Sequence, residues 1–222
     1  MIIGSGLLAQ GFKRSGIQGD LTIFASGVSS SKTKDPIEFT REINLLKKIL
    51  ETRPHSKLIY FSTTSVFSTQ SPYCSHKTNA EDFIKNNFES YCIYRLPQVL
   101  GTGGNKLNLI NFIKFSISNN NKMLIFPNSF RSIIDIEDLV SICESTLRLQ
   151  NKSVLNIAGI EFLKIIDIVN IVSRRLSIDP IIGFHKKEEA CLIENSKTID
   201  DSINKLGIDR NKYTERVINK YL

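Results

Sequence analysis

The stretch Met1-Ile2-Ile3-Gly4-Ser5-Gly6-Leu7-Leu8-Ala9-Gln10 decides how the rest of the chain is read. An apolar pair runs straight into a G-x-G-x-x-A arrangement, and the next residues, Leu7–Arg14, have helical period. Each small residue has a physical reason. The first glycine permits a tight turn, the second lets backbone approach a pyrophosphate, and the third small residue allows close helix–strand packing. The N-terminus of the helix then faces the phosphate charge. A strand before the motif and a helix after it is the context that a dinucleotide loop requires.

Working outward, short apolar runs alternate with longer helical segments, the pattern of parallel βαβ units. Strands are expected near Ile2–Ile3, Leu21–Ala25, Leu58–Ser62, Cys92–Leu96, Leu124–Phe126 and Val154–Ile157. Helices are expected over Leu7–Arg14, Pro36–Thr52, Ser75–Phe88, Asn105–Ser118, Glu137–Leu149, Leu163–Leu176 and Ile199–Leu206. The second helix carries its own start signal. Asp35 can cap it, Pro36 suits its first turn, and Glu38 completes a capping box. Phe39, Ile43, Leu46 and Leu50 are read as its apolar face. An acidic residue to hold a ribose normally ends a second strand about 20 residues after such a glycine loop. Here Asp20 precedes the next apolar run instead of ending it.

Composition excludes several classes. The 222 residues, 41% hydrophobic and 23% charged, suit a soluble globular domain. The apolar runs are far too short to span a membrane, and no secretory leader is visible at the start, so a cytoplasmic location is expected. Cys74, Cys92, Cys143 and Cys191 form no CxxC pair, and His55, His76 and His185 are dispersed, so no metal site is expected. The net charge of +7 is spread over short doublets such as Lys47-Lys48, Arg174-Arg175 and Lys186-Lys187. That argues against nucleic acid as a partner, while a modest positive field suits an anionic diphosphate.

The third expected strand leads into Phe61-Ser62-Thr63-Thr64-Ser65-Val66-Phe67, followed by Tyr73-Cys74-Ser75-His76-Lys77. Tyr73 and Lys77, four apart, share a helix face. By itself such a pair can be merely structural. In a site, an ammonium beside a phenol would lower its pKa from about 10, and a hydroxyl from the strand end, Thr63, could hold a substrate oxygen beside it. Those groups suffice for proton transfer coupled to hydride transfer.

Taken in chain order, these segments resemble the extended short-chain dehydrogenases, the epimerase/dehydratase group that modifies nucleotide sugars. The glycine loop is followed by Ile23-Phe24-Ala25-Ser26-Gly27, similar to that family's "HLAA" strand. Tyr60–Phe67 is similar to "SS-x-x-VYG", and Tyr73 to Lys77 supplies Y-x-x-x-K. Tyr94–Gly101 is similar to "LRxxNVYG", Arg131–Asp138 to "RDFIHVDD", and Leu155–Gly159 to "YNIG". The resemblance implies an α/β, Rossmann-like doubly wound parallel sheet, truncated on the adenosine side, with a small C-terminal substrate lobe. The chain would be one domain, 1–222, with the lobe drawn mainly from about 102–130 and 159–222.

The resemblance also implies roles. Thr63, Tyr73 and Lys77 would be catalytic, with Lys77 lowering the Tyr73 pKa and holding the nicotinamide ribose. Gly4, Gly6, Leu7, Ala25, Ser26, Gly27, Lys77 and Pro97 would line NAD or NADP. Thr64, Gln98 and Arg131 would meet a nucleotide-sugar substrate, Arg131 through its bidentate guanidinium. The implied activity is a nucleotide-sugar epimerase or 4-keto reductase in surface-polysaccharide or glycan synthesis. The alternative is a non-catalytic, ligand-binding relative with a regulatory or scaffolding role. A homodimer through Pro36–Thr52 and Ser75–Phe88 is expected. Two strands usual between the glycine loop and the "HLAA" strand are missing. The loop between Thr63 and Tyr73 is short. Thr64-Ser65 stands where 4,6-dehydratases carry an Asp-Glu pair, which argues against expulsion of water.

Overall fold

A computed structural model describes residues 1–28, 30–67, 71–103, 108–148, 151–185 and 193–222. The strands are β1 (Ile2–Ile3), β2 (Leu21–Phe24), β3 (Lys57–Thr63), β4 (Tyr91–Leu96), β5 (Gln98–Leu100), β6 (Met123–Ile125), β7 (Phe130–Asp135), β8 (Ser153–Asn156), β9 (Phe162–Lys164) and β10 (Ile182–Phe184). The helices are α1 (Leu7–Ser15), α2 (Pro36–Thr52), α3 (Pro72–Asn87), α4 (Leu109–Ser118), α5 (Ile136–Leu147), α6 (Ile165–Leu176), α7 (Lys197–Lys205) and α8 (Tyr213–Tyr221). The six strands read from sequence are present. β5, β7, β9, β10 and α8 were not foreseen. The expected helix start at Asn105, the helix end at Leu149, and Cys191 lie outside the described residues.

Five strands form a parallel sheet in the order β1-β2-β3-β4-β8. Alternation along each strand divides the core between two faces, as expected of a sheet buried on both sides. Ile23, Ile59, Phe61, Cys92 and Tyr94 pack on one face with Phe12 of α1 and Ile136, Leu139 and Val140 of α5. Phe24, Leu58, Tyr60, Tyr91 and Ile93 pack on the other with Leu46 and Ile49 of α2 and Ala80 and Ile84 of α3. Two small sheets complete the chain, β5-β7-β9 and β10-β6.

The truncation is visible in this order. β1 is an edge strand of two residues, and α1 passes directly to β2 with no intervening βα unit. The sheet advances in one direction from β1 to β4, yet α1 and α2 lie on opposite faces. The β1–α1–β2 crossover therefore has the opposite hand from β2–α2–β3 and β3–α3–β4. Crossovers are right-handed in about 98% of cases. The exception is what remains when α1 keeps its face but the strands beyond β1 are gone. No described helix is long and apolar enough to cross a membrane.

Candidate active site

Gly4, Gly6, Ala25, Ser26, Gly27, Thr63 and Pro97 lie at or just past the carboxyl ends of the parallel strands, where ligands of open α/β sheets bind. Gln98 and Arg131 instead lie near the starts of β5 and β7 in the small β5-β7-β9 sheet. Gly4 follows β1 at φ 123°, and a Cβ there would lie 2.3 Å from the Ala25 carbonyl oxygen. Glycine is therefore required for the loop to pass the end of β2. Gly6 begins α1 with no side-chain cap, and a Cβ on it would meet no atom within 4 Å. Ser5 and Gly6 are exposed while Ala9 is buried beneath them. This open, uncapped helix start fits a diphosphate.

The adenosine half fits less well. Asp20 sits at the opposite, amino end of β2, where its carboxylate takes a 2.7 Å bond from Arg53. No described strand lies beyond β1 to supply a ribose-holding acid. Ser26 is held from α2, its carbonyl accepting from Arg41 Nη1 at 3.1 Å.

α3 begins at Pro72, earlier than the expected Ser75. Ser71 caps it, its hydroxyl accepting from the Cys74 amide, and proline occupies the first turn. This Ser-Pro signal was present in the sequence. It places Tyr73 and Lys77 on successive turns above the end of β3. The Thr63 hydroxyl stands near Tyr73 at the end of β3 and acts to favour the ionised phenol. Thr64 begins a 3₁₀ turn, Thr64–Phe67, and donates to the Leu96 carbonyl at 3.2 Å. Beneath this turn, buried Glu81 accepts from Ser62 Oγ at 2.6 Å and from Arg95 Nε and Nη2 at 2.9 and 2.6 Å. Gln98 is exposed at the start of β5. Arg131 lies two positions before Ile133, the register partner of Gln98, and donates to the Phe130 carbonyl at 2.8 Å.

Lys77 departs from its expected role. Its ammonium is buried and donates to Glu42 Oε1 at 2.9 Å, Tyr60 Oη at 3.1 Å and the Phe61 carbonyl at 3.4 Å. An ammonium has three protons, so all are spent inside the protein. Glu42, fully buried on α2, also accepts from the Val28 amide at 2.6 Å, from Tyr60 Oη and from His76 Nε2 at 3.0 Å. Because an ionised carboxylate only accepts, Nε2 is the protonated nitrogen of His76. Burial alone would raise the Glu42 carboxyl. The Lys77 charge and the bonds from His76, Tyr60 and Lys77 outweigh that and hold it well below the usual carboxylate range.

The consequence for Tyr73 corrects the expectation that Lys77 lowers its pKa. Burial, then the Glu42 and Cys74 charges, push the phenol up, and the Thr63 hydroxyl offsets only part of this. Glu42 was missed because the face of α2 was read from its apolar residues alone. Leu46 is buried, and Ile43, Leu50 and Phe39 pack against the core as expected, but a glutamate and Ile49 complete the buried face. The buried residues of α2 are Glu42, Leu46 and Ile49, whereas Ile43 and Leu50 are only partly buried. A glutamate on the apolar face disguised the 42, 46, 49 spacing.

Cys74, Cys92 and Cys143 are buried free thiols, and no described group of His, Cys, Asp and Glu could hold a metal ion.

No protein-family model matches the chain. No curated protein matches its sequence either. Solved structures do match over nearly its whole length. dTDP-glucose 4,6-dehydratase from Bacillus anthracis, in complex with NAD, superposes with TM-score 0.70 at 14% identity, covering 99% of this chain and 77% of that one. MoeE5 in complex with UDP-glucose and NAD gives 0.76 at 13% identity, covering 99% and 95%. UDP-N-acetylglucosamine 4-epimerase from Methanobrevibacter ruminantium, in complex with UDP-N-acetylmuramic acid, gives 0.68 at 16% identity, covering 100% and 81%. This is the extended short-chain dehydrogenase fold. Within that fold the chain is a short version, its sheet ending at β1.

Proposed function

We propose that the chain is an NAD(P)-dependent oxidoreductase of a nucleotide-linked sugar, a 4-keto reductase or epimerase serving surface-polysaccharide or glycan synthesis. The observation that carries this reading is Thr63 and Tyr73 at the carboxyl end of β3, on the same edge of the sheet as the open Gly4–Gly6 loop, one strand away across β2. The structural neighbours solved with NAD and UDP-glucose support the same ligand classes.

In this reading Gly4, Gly6, Leu7, Ala25, Ser26, Gly27 and Pro97 line the cofactor, which supplies or accepts hydride. Thr64, Gln98 and Arg131 face the nucleotide sugar, bound by a lobe built from 102–130 and 159–222. Thr63 holds the substrate oxygen. In reduction the Tyr73 proton would pass to that oxygen, the O–H bond breaking as a bound reduced nicotinamide supplied hydride to the carbonyl carbon. The phenolate then regains a proton from water. Reduction is favoured over epimerisation, because a cofactor kept through a redox cycle usually needs the adenosine pocket that the short sheet lacks. The protein would work in the cytoplasm as a homodimer through α2 and α3, where Ile37 is 75% exposed. Light scattering returning a monomer at micromolar concentration would overturn the dimer.

The spent protons of Lys77 favour a second reading, a non-catalytic relative that binds ligand without turnover. Reduced-nicotinamide fluorescence separates them. Saturable binding, with consumption of reduced cofactor when a keto sugar nucleotide is added, supports the oxidoreductase. Binding without consumption supports the second reading, and no binding of nicotinamide removes the oxidoreductase and leaves the second reading only its nucleotide-sugar-binding form.

A further inference from the structure

Glu42 is a buried carboxylate that the proposed chemistry does not use. It accepts from a backbone amide, a phenol, an imidazole and an ammonium. Its packing is specific to this arrangement. Gly27 lies against the pair, and a Cβ there would come within 2.8 Å of Lys77 Nζ and 3.2 Å of Glu42 Oε1. The glycine thus leaves room for the ion pair beneath the cofactor side of the site.

We infer that Glu42 is a positioning residue that keeps the Lys77 ammonium in the core, so that Tyr73 remains a neutral phenol, a proton donor to a carbonyl oxygen and not a base toward an alcohol. This rests on Tyr73 being the acid/base group and deepens the reductase reading. Releasing Lys77 toward Tyr73 or a ribose would strand the Glu42 charge in the core, which is unfavourable in a low-dielectric surrounding. Lys77 Nζ lies 6.0 Å from the Tyr73 ring centre, against 2.9 Å from its carboxylate partner.

The groups around Tyr73 come from three elements. α3 contributes Cys74 and Lys77, α2 contributes Glu42, and β3 contributes Tyr60 and Thr63. His76 of α3 reaches this group through its bond to Glu42. The segment after β2 offers the Val28 amide to Glu42. The Glu42 charge disfavours the phenolate, and replacing it with a neutral amide removes that charge and frees the ammonium from its carboxylate.

The test needs no cofactor, so its failure is distinguishable from a failure of nicotinamide binding, which would sink the proposed function on which this inference rests. Phenolate absorbance is titrated up to about pH 10.5, just past the ordinary tyrosine value of about 10. The parent and Glu42→Gln are each compared with their Tyr73→Phe counterparts to isolate Tyr73, with circular dichroism confirming the fold. The parent should give no Tyr73 transition in this range. Glu42→Gln should show one, shifted at least about one unit below the ordinary value, as for a phenol beside an unopposed ammonium. A parent Tyr73 that ionises at or below the ordinary value overturns the inference, as does a folded Glu42→Gln protein whose Tyr73 stays silent. If Glu42→Gln does not fold, carbon-13 spectra of the parent with labelled tyrosine decide. A Tyr73 signal at the phenol position throughout supports the inference, and a phenolate midpoint within the range overturns it.

Discussion

Tyr73→Phe removes the transferable proton and leaves the ring's packing nearly unchanged. General acid–base groups contribute about 10²–10⁴-fold in rate. Turnover of a keto sugar nucleotide should fall by that order, with little change in thermal stability. Equal turnover by parent and variant would end the catalytic role. Glu42 makes a separate forecast in acid. Its folded-state pKa is held below the ordinary carboxylate value, so its stabilising share is complete above the ordinary value of about 4.3 and is lost as pH falls toward the folded one. Denaturant melts between neutral and acid pH should show a weaker acid dependence in Glu42→Gln than in the parent. An identical slope would mean that Glu42 does not carry this linkage. Thr63, Tyr73 and Lys77 could be named from sequence because chain order and helix spacing identify them. The partner that consumes Lys77 could not, since it comes from another helix 35 residues away.

At the scale of elements, the glycine loop separates a folding requirement from a binding one. Gly4→Ala puts a Cβ 2.3 Å from the Ala25 carbonyl oxygen at positive φ. It should cost about 1–3 kcal/mol or more, read as a lowered melting temperature. Gly6→Ala meets no protein atom, so its fold should be intact. A methyl there would instead crowd a diphosphate, and reduced-nicotinamide affinity should fall. Equal cofactor affinity in folded Gly6→Ala and the parent would remove the phosphate role from this loop. The strand–loop–helix unit was legible because its signals are local. The start of α3 was equally local, in Ser71-Pro72, but was placed too late. Glu42 was left out of the α2 face because burial of a charged residue is decided by its partners, not by its own polarity.

At the scale of the whole molecule, α8 closes the structure against β7 and α5. Tyr213 Oη accepts from the Asp135 amide at 3.0 Å and donates to Asp138 Oδ2 at 2.6 Å. Lys220 Nζ reaches Asp135 and Glu137 at 2.8 Å each, and Tyr221 Oη donates to Asp135 Oδ1 at 2.9 Å. Tyr213→Phe leaves a buried amide unpaired, which costs about 1–3 kcal/mol. The melting temperature should drop while Tyr73-dependent turnover survives below it. An unchanged melting temperature would mean that α8 is held by its apolar contacts alone.

The sequence by itself determined the alternation of strands and helices, the glycine loop, and the absence of a full βα unit before Leu21. These are properties of neighbouring residues and of chain length. Only the tertiary structure decided that α1 and α2 take opposite faces of a sheet advancing one way, leaving β1 as its edge. It also decided where the Lys77 charge goes. A buried ammonium must be matched by whatever carboxylate the fold brings to it, and that pairing depends on how α2, β3 and α3 pack around Gly27.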